Sequence, residues 1–306
     1  MFKKNFFLLI LLSIVFINCQ EESLSDAPLQ NRNSGSTFDV ATLDQINAVL
    51  ELNGENYKIA KVEMITSAGS HEAGSTVIAS DVGNKQLAFD FVPDDPRRSW
   101  SDPVGGVNAI DYAIDQVDAM STNGVPGAQT TAAIQAASQT WDDVMCSDLG
   151  FSQSPDFGLD LGLVAFLNGL GGSPFVVADI MHAGWGDIDF AGGVLAATFT
   201  FGFTSGGQFT DVNNDGKIDC AFREIYYDPS WPWGIGSGAD VETIALHEIG
   251  HGLSQAHFGT ISIKNDGSLK ASPRAVMNAL YSGVLTDLQG TDNGGHCSIW
   301  GNWPNN

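Results

Sequence analysis

The chain has 306 residues, with 36 acidic against 13 basic side chains and a net charge of −23 at pH 7. So acidic a surface repels phosphate backbones and excludes nucleic acid as the natural partner. Its hydrophobic content of 43% is enough to fill the core of one large domain.

The N-terminus reads as a targeting segment. Lys3 and Lys4 form a basic start, and Phe6 to Ile17 form an almost wholly apolar run. That run is too short to span a bilayer and has the length of a signal core. Cys19 stands two residues after it, and the preceding F-I-N is a loose lipobox. Residues 1–18 are therefore expected to be a lipoprotein-type signal peptide, with Cys19 lipidated and anchored to a membrane. The C-Q-E-E start resembles acidic surface-export signals of bacterial lipoproteins. The expected location is extracytoplasmic, at the bacterial outer membrane or cell surface, and simple secretion is the alternative. Residues 19–37, polar and rich in Ser, Asn and Glu, read as a tether.

Val40 to Leu52 is an amphipathic helical stretch, and K-I-A-K-V-E-M-I after it reads as a strand. Together, residues 38–84 are expected to form a small pre-domain or pro-segment. The alternation in 87–93 predicts a first sheet strand. Apolar residues at helical spacing predict a helix over Thr130 to Val144, capped by Thr130 or Thr131. Further strands are predicted through Phe175 to Ile180, within 193–203 and within 221–227, and a helix from near Val241. There are no internal repeats. Beyond Cys19 the cysteines are Cys146, Cys220 and Cys297, so one intramolecular bridge leaves one thiol over. Cys146–Cys297 is the favoured pair, because Cys220 lies beside a run read as a strand.

Residues 211–219, D-V-N-N-D-G-K-I-D, place oxygen side chains at alternate positions with Gly at the sixth. This matches the front of an EF-hand loop, in which Asp211, Asn213, Asp215, the Lys217 carbonyl and Asp219 would bind calcium. The bidentate Glu at position twelve is missing: Phe222 stands there, with Glu224 and Asp228 as nearby substitutes. The plainer alternative is an ordinary Asn/Asp/Gly hairpin turn.

Residues 247–257 read H-E-I-G-H-G-L-S-Q-A-H. On a helix, His247 and His251 share one face a turn apart and can close on one metal ion. Glu248 then stands where it can act as a general base without ligating the metal. His257 is a third candidate ligand, leaving one position open as catalytic zinc sites do. A helix with satisfied core histidines is the alternative. Gly250 and Gly252 are expected to weaken the helix where the chain turns back.

The longer pattern resembles the metzincin clan of zinc peptidases, whose HExxHxxGxxH is followed by a Met-turn. His247, Glu248, His251 and His257 match, and A-V-M-N-A-L-Y supplies Met277 with Tyr281 four residues on, a spacing similar to the matrixin branch. The family's Gly is Ser254 here, which would cost about 1 kcal/mol if it adopts positive φ, unless Gly252 moves the bend. Residues 175–201 resemble the matrixin segment that carries a structural zinc. His182 matches its first ligand, but Ala197 replaces the next His, so no structural zinc is expected. The resemblance covers about residues 85–306. It implies an α+β, metzincin-like catalytic domain with a twisted, mainly mixed β-sheet backed by helices, an active-site helix and a Met-turn.

It also implies a zinc-dependent endopeptidase acting on protein or peptide. His247, His251 and His257 would hold zinc, Glu248 would be the general base, Met277 an apolar floor beneath the histidines, and Tyr281 either an oxyanion donor or a packing residue. The substrate would lie extended along strand 193–203 as an edge strand. Residues 38–84 contain no cysteine, so the cysteine-switch latency of animal matrixins is not available. The alternatives are a non-catalytic cell-surface adhesion or interaction module and a zinc hydrolase acting on a non-peptide bond.

Overall fold

Alternation of side chains along two long strands builds the centre of the molecule. In 194–205, Phe199, Phe201 and Phe203 point to one face and Thr198 and Thr200 to the other. In 218–227, Phe222 and Tyr226 share the phenylalanine face, while Ile225 and Tyr227 belong to the opposite one. Each large side chain so buried contributes roughly 1.5–3 kcal/mol. The computed structural model describes residues 40–69, 76–77, 87–98, 100, 108–121, 124–186, 188, 190 and 192–305, all within the compact unit Asn31–Asn306. The expected signal peptide, the Cys19 anchor and the tether lie outside the described residues. No helix among them is long and apolar enough to cross a membrane.

In chain order the elements begin with α1 (Val40–Leu52), β1 (Tyr57–Ser67), β2 (Thr76–Val77), β3 (Phe89–Asp90) and β4 (Ile110–Ile114). Next come α2 (Gly127–Asp142), β5 (Phe151–Gln153), α3 (Leu163–Leu167), β6 (Ile180–His182), β7 (Val194–Ser205), β8 (Gln208–Phe209) and β9 (Ile218–Tyr227). The C-terminal part holds β10 (Trp233–Gly234), β11 (Ala239–Asp240), α4 (Val241–Gly252), β12 (Thr260–Ile263), β13 (Leu269–Ser272), β14 (Leu280–Tyr281) and α5 (Gly290–Trp300).

The protein is α+β, with a large mixed sheet ordered β14-β1-β7-β9-β6-β4-β5 and two two-stranded sheets, β10-β11 and β12-β13, among the described residues. β7 runs antiparallel to both β1 and β9, while β9, β6, β4 and β5 pair in parallel. One face packs on α2, α4 and α5 through Ile134, Trp141, Ile244, Ile249 and Trp300. The other packs on α1 and α3 through Leu43, Ile46, Leu50 and Val164.

Four expectations change. The strand expected at the edge within 193–203 is not an edge: β7 pairs with β9 on one side and, on the other, with β1, whose own edges and faces all find partners. Strand 87–93 shrinks to Phe89–Asp90, which pairs only with the start of β9. The strand through Phe175 begins at Ile180. Helix α2 starts at Gly127, so Thr130 is interior and donates its hydroxyl to the carbonyls of Ala119 and Gly127 rather than capping. The Cys146–Cys297 bridge is present and joins the end of α2 to α5, while Cys220 is a buried free thiol in β9.

Candidate metal centre

Helix α4 presents the site. Asp240 caps its start, accepting from the Thr243 N–H at 3.0 Å and from the Thr243 hydroxyl at 2.6 Å. Every residue of the helix except Glu242 is buried. Trp141 of α2 donates its indole N–H to the Leu246 carbonyl at 2.8 Å, fixing the helix against its neighbour.

At its C-terminal end the chain turns at Ser254, whose φ is +66°, so the bend falls where the family's Gly would stand. Gly252 does not take over: it stays helical, and a Cβ there would press on Ile180 of β6. Gly250 likewise serves close packing, since a Cβ would collide with the sulfur of Met277 and crowd Trp141. Arg223 of β9 holds the bend, donating to the Gly252 carbonyl at 2.5 Å and the Ser254 hydroxyl at 3.0 Å. Ser254→Gly and Ser254→Ala both lose that hydroxyl, but only alanine keeps the positive-φ strain. The alanine variant should be less stable than the glycine variant by about 1 kcal/mol in denaturant melts. Equal midpoints would show that the bend carries no strain.

The bend brings three imidazoles together. The ring nitrogens of His247, His251 and His257 lie within 4.8 Å of one another, the only such group of three among the described His, Cys, Asp and Glu side chains. His251 Nε2 is 3.1 Å from His247 Nε2 and 3.1 Å from His257 Nε2. His247 Nδ1 lies 2.7 Å from the Val276 carbonyl, and His251 Nδ1 lies 2.7 Å from the Gln255 carbonyl. A carbonyl only accepts, so both Nδ1 atoms carry the proton. Burial, with the neighbouring His257 second, holds the His247 pKa down to about 3 and that of His251 well below its usual value. Both rings are thus neutral, and bare Nε2 lone pairs face each other. A cation resolves that contact, and three tetrahedral nitrogens about 2.0–2.1 Å from zinc would lie about 3.3 Å apart. The donor set fits the metal. The third ring has a carboxylate behind it: Glu63 Oε2 of β1 lies 3.4 Å from His257 Nδ1, and Glu63 pairs with Lys61 at 2.6 Å.

Glu248 is fully buried beside His247. Its Oε2 accepts from the Thr198 hydroxyl of β7 at 2.5 Å, and its Oε1 has no hydrogen-bond partner among the described residues. Burial raises its pKa well above the usual carboxyl range; the Thr198 bond opposes this and Glu63 adds to it. Met277, whose sulfur packs against Gly250 of α4, lies in a turn whose Val276 and Met277 N–H groups donate to Asp292 of α5, each at 3.0 Å. Phe258 N donates to the Met277 carbonyl at 2.7 Å, closing the turn on the segment after His257.

Tyr281 goes elsewhere. Its hydroxyl donates to the Gly238 carbonyl at 2.6 Å and accepts from the Asp240 N–H at 3.2 Å. That holds it at the start of α4, about 10 Å of helix from His247. His182 is buried in β6 with Nδ1 2.9 Å from the Tyr227 hydroxyl, and burial holds its pKa down to about 3.

The 211–219 loop turns as expected, with Asp211 accepting from the N–H groups of Asp215 and Gly216 and Asn213 beside Asp215. Gly216 has φ of +83°. Its carboxylates do not converge. Asp219 is buried and committed to Arg97 at 2.8 Å and Thr210 at 2.5 Å, while Lys217 pairs through its ammonium with Asp90. Glu224 faces the other side of the sheet and accepts from Leu163 N and Val164 N, and Asp228 accepts from Ser230 N.

Sequence reasoning missed the supporting residues: Glu63, Thr198, Arg223, Gln255 and Asp292. Only Arg223 and Glu63 left a trace, as charges inside runs that otherwise read as buried strands. No family model matches the chain, and no curated protein matches it.

Proposed function

We propose that this chain is an extracellular zinc-dependent endopeptidase of the metzincin clan, matrixin-like, anchored through Cys19. The observation that carries the reading is that α4 and the bend after it bring three imidazole nitrogens together while the adjacent Glu248 keeps a free carboxylate oxygen. His247, His251 and His257 would hold the metal. When bound, zinc supplies a Lewis acid for the scissile carbonyl and a more acidic water.

The protein's own groups do the rest. Glu248 Oε1 accepts the proton of the attacking water and passes it to the departing amine. Thr198 fixes Oε2, so Oε1 is the working atom. Val276 and Gln255 hold two rings in the required tautomer, and Asp292 and Met277 stiffen the floor beneath them. The neighbouring Glu248 disfavours the alternative of a purely adhesive surface module, because a structural site has no use for a buried carboxylate without a partner.

The test is digestion of casein by the purified chain with and without 1,10-phenanthroline. Digestion that the chelator abolishes is expected. No digestion, with about one zinc bound per chain, would sink the peptidase reading.

A further inference from the structure

Helix α5 is weak by its own sequence. Gly290, Gly294 and Gly295 are three of its first six residues, and glycine is the poorest helix former after proline. Such a helix keeps its place through tertiary ties. At its start Gln289 and Asp292 close a capping box. At its end the Trp300 indole N–H donates to the Leu253 carbonyl at 3.0 Å. Between these stands Cys297, bonded to Cys146 just past the end of α2, across a sequence separation of 151.

This weak helix supports two of the three candidate ligands. Asp292 accepts from the N–H groups of Val276 and Met277, and the Val276 carbonyl lies 2.7 Å from His247 Nδ1. Gly295 packs on the side chain of Gln255, so closely that a Cβ would collide with its Oε1. The carbonyl of the same Gln255 lies 2.7 Å from His251 Nδ1. Both backbone acceptors that set the tautomers of these rings therefore rest on the stretch 292–295, and the bridge follows it directly. The other end of the bridge leads to the same place. Trp141 of α2 donates to the Leu246 carbonyl beside His247, and its ring stacks on His296 with centroids 5.5 Å apart.

The bridge is within reach of solvent. Cys146 is exposed and Cys297 half-buried. Both line a surface hollow of about 440 Å³, together with Asp143, Met145, Asp287, Leu288 and Asn293. The two aspartates repel an anionic thiol, so an uncharged dithiol is the reductant that fits. The free thiol of Cys220 is buried in β9 and takes no part.

We propose that Cys146–Cys297 is a reducible site that sets the zinc affinity of the metal centre: opening the bridge frees α5 and withdraws the support behind His247 and His251. The proposal rests on the zinc part of the proposed function and not on peptidase activity. The step is thiol–disulfide exchange. A dithiol gives two electrons and two protons to the bridge, which becomes two thiols, and the dithiol leaves as its own disulfide.

The test compares three forms of the full chain: bridged, reduced with dithiothreitol and then freed of it without air, and a Cys146→Ala/Cys297→Ala variant. Zinc affinity is measured by competition with a chromophoric chelator and the fold by circular dichroism, with casein digestion alongside. The reduced form and the variant should stay folded and bind zinc about 10–100-fold more weakly than the bridged form, the usual effect of removing the groups behind metal ligands. The reduced form needs no refolding, so its comparison stands even where the variant fails to fold.

Equal zinc affinity in bridged and reduced protein overturns the proposal. So does a bridge that dithiothreitol leaves intact in the folded chain. Unfolding on reduction overturns it as well, because the bridge is then a staple of the whole domain. A bridged chain that binds no zinc removes the metal centre and the proposal together. Zinc binding that weakens on reduction, with no casein digested by any form, leaves the proposal standing and removes the peptidase reading instead.

Discussion

Glu248→Ala is expected to bind zinc at the wild-type stoichiometry and to lose about 10²–10⁴-fold in kcat/KM for casein digestion. The carboxylate touches no ring nitrogen of the triad: its hydrogen bond is to Thr198, and the three histidines are oriented by Val276, Gln255 and Glu63. The donor set therefore survives the change. Stability should survive it too. Oε1 is buried without a partner, and removing such a group gives back its desolvation cost. That gain offsets part of the cavity left by the lost methylenes. Glu248→Gln sharpens the test. It keeps the size and can still bond Thr198, but an amide cannot take the water's proton. Glutamine and alanine variants should lose activity alike. Activity within tenfold of wild type in either one, with zinc retained, would remove Glu248 from the general-base role.

The histidine and glutamate positions were legible because a 3.6-residue period converts spacing into geometry with little help from tertiary structure. The start of α4 near Val241 was legible from the apolar residues that begin there, free of Gly and Pro through Leu246. The bend was legible only as a choice between Ser254 and Gly252, and it falls at Ser254, with φ of +66°. What the sequence hid are partners chosen by the fold. Asp292 lies 15 residues beyond Met277 and meets it only because α5 returns under the turn. Arg223 reads as an interruption of β9 until α4 is packed across it.

The 211–219 loop shows local spacing meeting partners that the fold supplies. Its spacing is right locally, yet Asp219 is drawn into the interior by Arg97 and Thr210. Tyr281 was placed by spacing after Met277, but two backbone groups at the start of α4 compete for its hydroxyl and hold it. Strand β1 was visible as a strand. Its place between β7 and β14 was not, because pairing partners at least 128 residues away leave no mark on its own alternation.

His251→Ala is expected to abolish zinc binding and, with it, all chelator-sensitive activity. His251 is the middle of the donor set, its Nε2 3.1 Å from both other rings. Without it, His247 and His257 remain as two nitrogens from separate elements, one on α4 and one beyond the Ser254 bend, too few for a tetrahedral site. The same ring also ties the helix to the bend through Gln255, so the loop that carries His257 loosens as well.

Linkage provides a readout independent of activity. A metal that binds only the folded chain stabilises it by about 4 kcal/mol at a thousandfold excess over Kd. Wild-type protein should therefore melt several degrees higher with zinc than with EDTA, while His251→Ala should melt at one temperature in both. Its melting temperature in EDTA, compared with wild type in EDTA, isolates the cost of the lost ring from the cost of the lost metal. The ring is wholly buried, so that remainder should be positive, a few kcal/mol at most. A variant that still binds about one zinc per chain, or still gains stability from zinc, would mean that the metal sits on other ligands. In that case the convergence of the three Nε2 atoms has some other cause.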